Sequence, residues 1–191
     1  NRASIIGLVV PDITNPFFAQ LAKDIETEAS RRGHTVMLTN SHDDSITEGH
    51  QIAALLDRSP RGLIVAACND TSATVKSSET QVVSVDRRLG AFPLVGTDNA
   101  SSSAKMATYL ISLGHTRIAY LAGPQSTDVG RQRLEGFRKQ FDRHKLQNSA
   151  LSLSVYEGQF DYDSGEHLAR SLLLEPADQR PTAIVAASDQ M

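Results

Sequence analysis

Short runs that are apolar throughout alternate with longer amphipathic stretches along the chain. Continuous apolar runs, as opposed to strictly alternating ones, are typical of parallel strands that are buried on both faces. Strands are therefore predicted at residues 5–10, 34–39, 63–67, 82–85, 94–95, 117–123, 151–156 and 183–187. Helical periodicity predicts helices at residues 19–32, 47–56, 101–113, 131–144 and 162–174, and at most a short helix within 69–81. This alternation predicts an α/β fold with right-handed crossovers between parallel strands.

The first strand is followed by a polar turn and a helix start. Pro16 fits the first helical position, because a helix leaves the N–H there without a partner. Thr14 or Asn15 can cap the free backbone donors. Of Phe17 and Phe18, only one is expected to point into the core. A buried strand, the loop at its carboxyl end and a helix start together form a ligand cradle in an open α/β sheet.

A second strand, loop and helix unit opens at residue 117 and repeats this design with unrelated side chains. The repeat predicts two similar Rossmann-like lobes with parallel sheets, residues 1–96 and 97–191, facing each other across a cleft. The second lobe has fewer predicted strands and helices than the first. A further helix is expected to begin at Ser188 or Asp189, where the chain stops, so we expect the polypeptide to be cut short and this lobe to be incomplete. A naturally small second lobe is the alternative.

Several motifs then resemble the effector-binding core of the LacI/GalR family of bacterial transcription regulators. In chain order they are IGLVVPDITNPFF, the Asp43-Asp44 turn, RGLIV, VVSVDRR, VGTDN, LISLGHTRIAYLAGP, RLEGF and PTAIVAASDQM. The resemblance covers essentially the whole chain and implies a fold of the periplasmic-binding-protein type I. It also implies a homodimer to which the helix at residues 47–56 contributes, and a small effector (a sugar, sugar phosphate or nucleoside) in the cleft. Operator DNA would be bound by a helix-turn-helix domain outside these residues.

Candidate effector contacts come residue by residue from this resemblance. The family's cleft aromatic carries onto Phe18, with Phe17 beside it, because a ring face can stack on a sugar or a base. The planar guanidinium of Arg133 can donate to sugar hydroxyls, a carboxylate or a phosphate. The remaining effector-binding candidates are Asp98, Thr127, Val129 and Ser188, although a valine offers no hydrogen bond.

Four further residues, Asp12, Asn15, Asp86 and Arg87, are possible effector contacts that also have structural alternatives. Asp12 and Asn15 could serve only as turn and cap residues, and Asp98 could likewise be a plain helix cap. Asp86 and Arg87 follow the fourth strand as the family's Asp-Arg pair. For these two residues we expect a structural ion pair more than an effector contact.

Composition narrows the function further. The net charge of −3 indicates no bulk affinity for DNA or an anionic membrane. A single cysteine fits a reducing compartment, and no apolar run approaches a membrane span, so a cytoplasmic location is expected. Nucleophile-elbow, dinucleotide-binding, P-loop and zinc-protease motifs are missing, and the six histidines do not fall at metal-ligand spacings. No catalytic residue, metal or cofactor is therefore expected.

The sequence thus predicts the effector-sensing part of a LacI-type regulator, most often a repressor. A periplasmic sugar-binding protein that serves a transporter is the first alternative, since it shares the fold. A periplasmic-type sensor module fused to a signalling protein is a weaker one.

Overall fold

A computed structural model describes residues 4–68, 75 and 79–191 of the chain. Most of the stretch 69–81, for which at most a short helix was predicted, lies outside these residues. The chain divides into two compact units, with the boundary between Gly96 and Thr97. Each unit is an α/β structure with an all-parallel sheet, as the apolar runs predicted.

The first unit contains a five-stranded sheet in the order β2-β1-β3-β4-β5. In chain order its elements are β1 (Ile5–Val10), α1 (Pro16–Arg31), β2 (Thr35–Asn40), α2 (Ser45–Leu56), β3 (Gly62–Val65), β4 (Gln81–Val85) and β5 (Leu94–Val95). The connection from β1 leads to β2 on one side of β1, whereas β3 lies on the other side of β1. The chain therefore reverses direction across the sheet between β1 and β3, which is the position where open α/β sheets bind ligands.

Side chains cover both faces of this first sheet. One core cluster includes Val9, Val65 and Leu63 with Ile52 and Leu55 of α2. The other places Leu8 and Val10 against Phe18 and Ala22 of α1. Because β1 is buried on both faces, it needs the continuous apolar run from which it was predicted.

The second unit contains a three-stranded sheet in the order β7-β6-β8. Its elements are α3 (Asn99–Ser112), β6 (Arg117–Ala122), α4 (Asp128–Lys145), β7 (Ser152–Glu157), α5 (Tyr162–Leu173) and β8 (Ala183–Ala186). The same reversal occurs here between β6 and β8. Tyr120, Phe137 and Phe141 form the aromatic centre of its core. Helices α3 and α4 touch so closely that a Cβ on Gly136 would lie 2.2 Å from the carbonyl oxygen of Ala100.

Helix α1 begins at Pro16, as its proline predicted, and three other helices also begin earlier than the apolar pattern predicted. Helix α2 begins at Ser45 and not at residue 47, α3 at Asn99 and not at 101, and α4 at Asp128 and not at 131. In each case a polar side chain one residue before the helix accepts a hydrogen bond from a free backbone N–H of the first turn. The first turns are polar because capping fixes them, so apolar periodicity misses them. After β8, Met191 donates to the carbonyl of Ser188 over 3.0 Å, which forms a single turn.

Candidate functional site

Polar and aromatic side chains collect at the carboxyl ends of the strands in both units. In an open parallel sheet the ligand crevice lies outside these ends, where the connections diverge to opposite sides. In the first unit the candidates follow β1 and β4, and in the second unit most of them follow β6 and β8.

Arg133, in the second turn of α4, is held at the reversal point of the second unit. Its Nε donates to Oδ1 of Asn99 over 2.8 Å, and its Nη1 donates to the carbonyl oxygen of Ala187 over 2.7 Å. Asn99 is the first residue of α3, and Ala187 directly follows β8. Both acceptors are uncharged, and no ion pair to Arg133 occurs among the described residues. A charged, oriented guanidinium of this kind can bind a hydroxyl or an anion.

Phe160 completes this end of the second unit and was missed by the sequence analysis. The Arg133 guanidinium lies 5.8 Å from the centre of the Phe160 ring. The ring packs directly on Gly123, where an added Cβ would come within 2.0 Å of it. The glycine that follows β6 therefore makes room for an aromatic ring at the strand end. A lone phenylalanine in the polar stretch after β7 was the available signal.

Arg87 of the first unit has a similar arrangement. Its guanidinium lies 5.7 Å from the centre of the Phe18 ring, and its side chain is only 10% exposed. Its main ionic partner is Asp43, whose Oδ1 accepts from Nη1 over 2.6 Å. Asp86, the neighbour expected to pair with it, is 4.0 Å from Nε. The expected ion pair therefore exists, but Asp43 is the closer partner.

Phe17 and Phe18 divide between surface and core, as expected from their adjacency. Phe18 is 3% exposed and packs among the first unit's apolar side chains, whereas Phe17 is 52% exposed. The two rings meet edge to face at 5.0 Å. Phe17 therefore presents the accessible ring, and Phe18 contributes packing beneath Arg87.

Most of the polar candidates have local structural partners. Asn15 caps α1 by accepting from the amide of Phe17 over 2.9 Å, and Asp98 caps α3 by accepting from Ser101 over 2.9 Å. Asp12 accepts from the amide and the hydroxyl of Thr14. These bonds confirm the turn and cap roles and do not test a contact with an effector.

The remaining second-unit candidates also lie at strand ends. Thr127 caps α4, since its hydroxyl accepts from the amide of Gly130 over 3.1 Å. Val129 is buried at 4% exposure. The hydroxyl of Ser188 accepts from the amide of Gln190 over 3.3 Å. Of the candidates in this unit, Arg133 is therefore the one whose charged group is fixed at the reversal point.

In each unit one group has a pKa that burial raises. Burial raises the pKa of the Cys68 thiol, and the neighbouring Glu48 adds to this, although a contact with Ser41 opposes it. The amide of Cys68 donates to Oε2 of Glu48 over 2.6 Å, which ties the end of β3 to α2. Burial also raises the pKa of Tyr120 in the second unit.

Comparison with known families identifies this arrangement. Residues 3–191 match the family described as periplasmic binding proteins and sugar binding domain of LacI family. The chain belongs to this family. The resemblance to LacI-type effector-binding cores is thereby confirmed, together with the parallel α/β fold.

Individual LacI-type relatives match over nearly the whole chain. The HTH-type transcriptional regulator DegA of Bacillus subtilis is 32% identical over 98% of the chain and 57% of its own length. The ribose operon repressor of Escherichia coli is 30% identical over the whole chain and 58% of its own length. The Cra transcriptional dual regulator of Pseudomonas putida, solved with fructose 1-phosphate, superimposes with a TM-score of 0.86 at 26% identity. That match covers 98% of this chain and 70% of the Cra chain.

These matches bear on the class of protein. The chain spans a little over half the length of its curated relatives, which are transcriptional regulators.

In the described part of the chain, no group of three or more histidine, cysteine, aspartate or glutamate side chains could hold a metal ion. No described helix is long and apolar enough to span a membrane.

Proposed function

We propose that this chain is the effector-binding core of a LacI-type transcriptional regulator that acts as a repressor. A small molecule, such as a sugar, a sugar phosphate or a nucleoside, would be bound by carboxyl-end loops of both units. Its binding would control the affinity of a separate domain for operator DNA. The chain's own net charge of −3 agrees with DNA contact lying outside these residues.

The observation that carries this proposal is the fixed guanidinium of Arg133. Two hydrogen bonds to uncharged acceptors orient it, and the Phe160 ring lies beside it at the end of the second unit's strands. An arginine beside an aromatic ring provides donors for hydroxyls or an anion and an apolar face for a sugar or a base. Arg87 and Phe18 provide a similar pair in the first unit. Phe17, Asp12, Asn15, Asp86, Asp98, Thr127, Val129 and Ser188 remain proposed contacts.

The proposed coupling is a shift of population and involves no chemical step. An effector that binds one conformation of the core more tightly than another increases the population of that conformation. The size of the shift is set by the ratio of the two affinities. In a homodimer such a shift would change how two DNA-binding domains are presented to an operator. Ile46, which is 69% exposed at the start of α2, suits a dimer contact on that helix.

Transport is the less favoured function. The named curated relatives are transcriptional regulators, and the ribose operon repressor and Cra are named with a sugar operon and a sugar phosphate. A transport protein of this fold would be a monomer, and a cytoplasmic regulator would be a dimer. The mass of the protein in solution therefore separates the two functions.

A ligand screen tests the proposal directly. The full-length gene product is heated with neutral sugars, their phosphate esters and nucleosides, and its mass in solution is measured in parallel. A ligand that binds only the folded protein raises the melting temperature by mass action. A dimer with at least one stabilising compound supports a regulator. A monomer with a tight sugar ligand supports transport, and a protein that none of the compounds stabilises contradicts both.

A further inference from the structure

The loop after β2 contains an unusual backbone and a charged contact that the proposed function does not explain. His42 and Asp43 both have a φ of +54°, which is the left-handed region. Aspartate tolerates this region better than most side chains do, but two such residues in succession are uncommon. The amides of Ser41 and Asp43 donate to the carbonyls of Val10 and Pro11 over 2.9 Å, which anchors the loop to the end of β1.

A second strained turn lies where the partner of Asp43 begins. Asp86 has a φ of +58°, and the amide of Arg87 donates to the carbonyl of Val85 over 2.6 Å across it. Strained residues persist where the surrounding structure holds them, and they cluster at functional sites. Both strained turns follow strands of the same sheet, and the Asp43–Arg87 hydrogen bond joins them across 44 residues of sequence.

The contact leaves part of the Arg87 guanidinium without a hydrogen bond to the described residues. Nη1 is bonded to Asp43 at 2.6 Å, Nε is 4.0 Å from Asp86, and the plane lies 5.7 Å from the centre of the Phe18 ring. Nη2 makes no hydrogen bond among residues 4–68, 75 and 79–191. An arginine fixed on one side by a carboxylate is a pre-oriented donor on the other, where it can bind a hydroxyl oxygen.

We propose that Asp43 is a positioning residue of the effector site. It holds the Arg87 guanidinium over Phe18, so that the remaining N–H groups meet a hydroxyl of the effector without a loss of side-chain freedom on binding. This inference rests on the proposed function, since it requires that the first unit contributes to effector binding. It assigns a role to Asp43, which the sequence predicts only as part of a turn.

Two variants separate positioning from structural support. Asp43→Gly removes the carboxylate and is compatible with the positive φ, whereas Asp43→Asn keeps an acceptor at the same distance without the charge. Glu28→Gln is the matched control, because Glu28 also pairs with arginines in the first unit but lies on the exposed face of α1. The full-length gene product is titrated calorimetrically with neutral aldoses and ketoses, and the Arg87 Nε–H signal is followed by NMR without ligand.

We expect Asp43→Gly to weaken binding of the neutral sugar about tenfold, since a charge-assisted hydrogen bond that orders the donor is lost. Asp43→Asn should recover most of this affinity, and Glu28→Gln should bind like the wild type. Without ligand, the Nε–H proton of Arg87 should exchange with water faster in Asp43→Gly than in the wild type. Unchanged affinity or an unchanged Arg87 signal in Asp43→Gly overturns the inference. If the wild type binds no neutral sugar although Arg87 is restrained, this inference is overturned, whereas the proposed function is contradicted only when no phosphate ester or nucleoside stabilises the protein either.

Discussion

Arg133 is expected to support the fold of the second unit as well as an effector. Its hydrogen bonds to Asn99 and Ala187 join α4 to the first residue of α3 and to the end of β8. A hydrogen bond from a charged donor contributes about 1.5–3 kcal/mol to stability. Asn99 is 6% exposed, so its oxygen would lose a partner and gain little water if Arg133 were removed. Arg133→Met, which keeps the apolar stem of the side chain, should therefore lower the free energy of unfolding by about 3 kcal/mol.

A double-mutant cycle isolates the part that belongs to the Arg133–Asn99 pair. Unfolding in urea is followed by circular dichroism for Arg133→Met, Asn99→Ala and the double variant of the full-length gene product. Because the two side chains touch at 2.8 Å, we expect a coupling free energy of about 1.5–3 kcal/mol.

Arg131→Met is the control, since Arg131 lies on the same helix but its side chain is half exposed and makes its bonds, to Asp128 and to the carbonyl of Gln125, at the surface. Such a surface pair is worth at most about 1 kcal/mol. A coupling below about 0.5 kcal/mol for the Arg133–Asn99 pair, or an equal loss for Arg131→Met, would refute the reasoning.

Three further predictions follow from other contacts. Gly136→Ala should lower the free energy of unfolding by about 1–3 kcal/mol, because the new methyl group meets the Ala100 carbonyl. Gly96→Ala is the control and should not lower it, because the nearest atom to the added Cβ is 3.5 Å away. Equal shifts of the melting temperature in calorimetry would contradict this prediction. The Cys68 thiol should react with iodoacetamide at pH 8 far more slowly in the native than in the urea-unfolded protein, because burial raises its pKa; equal rates would contradict this. The Glu28 carboxyl should titrate by NMR with a pKa of about 2, because two neighbouring arginines stabilise its charged form. Its contribution to stability is therefore present above pH 4.5 and is lost as the pH falls towards 2. A titration midpoint near pH 4.5 would show that Glu28 does not pair with these arginines in solution.

The strands and their parallel arrangement followed from the sequence because the apolar runs are continuous. A strand such as β1, with side chains buried on both faces, leaves no room for polar alternation. The order β2-β1-β3-β4-β5 could not be read in the same way. A pattern of apolar positions says that a strand is buried but not which strand lies beside it.

The candidate site was predictable where a motif contains it in one stretch. Arg133 could be singled out because it lies in a motif next to a helix start, whereas Phe160 could not. The position of Phe160 depends on Gly123, 37 residues earlier, which lets the ring pack on the end of β6. The closer partner of Arg87 could not be predicted for a related reason. Asp86 is its neighbour in sequence, but the fold brings Asp43 closer from 44 residues away.

Regulated DNA binding is the central claim, and one measurement tests it most directly. An operator is first selected from random DNA with the full-length gene product, and its affinity is then measured by fluorescence anisotropy with and without the compound that stabilises the protein. We expect the compound to change the operator affinity by at least about fivefold, the lower end of typical allosteric coupling. Arg133→Met should bind the operator but no longer respond. A compound that binds tightly and leaves the operator affinity unchanged, or a protein that selects no DNA, would contradict the claim.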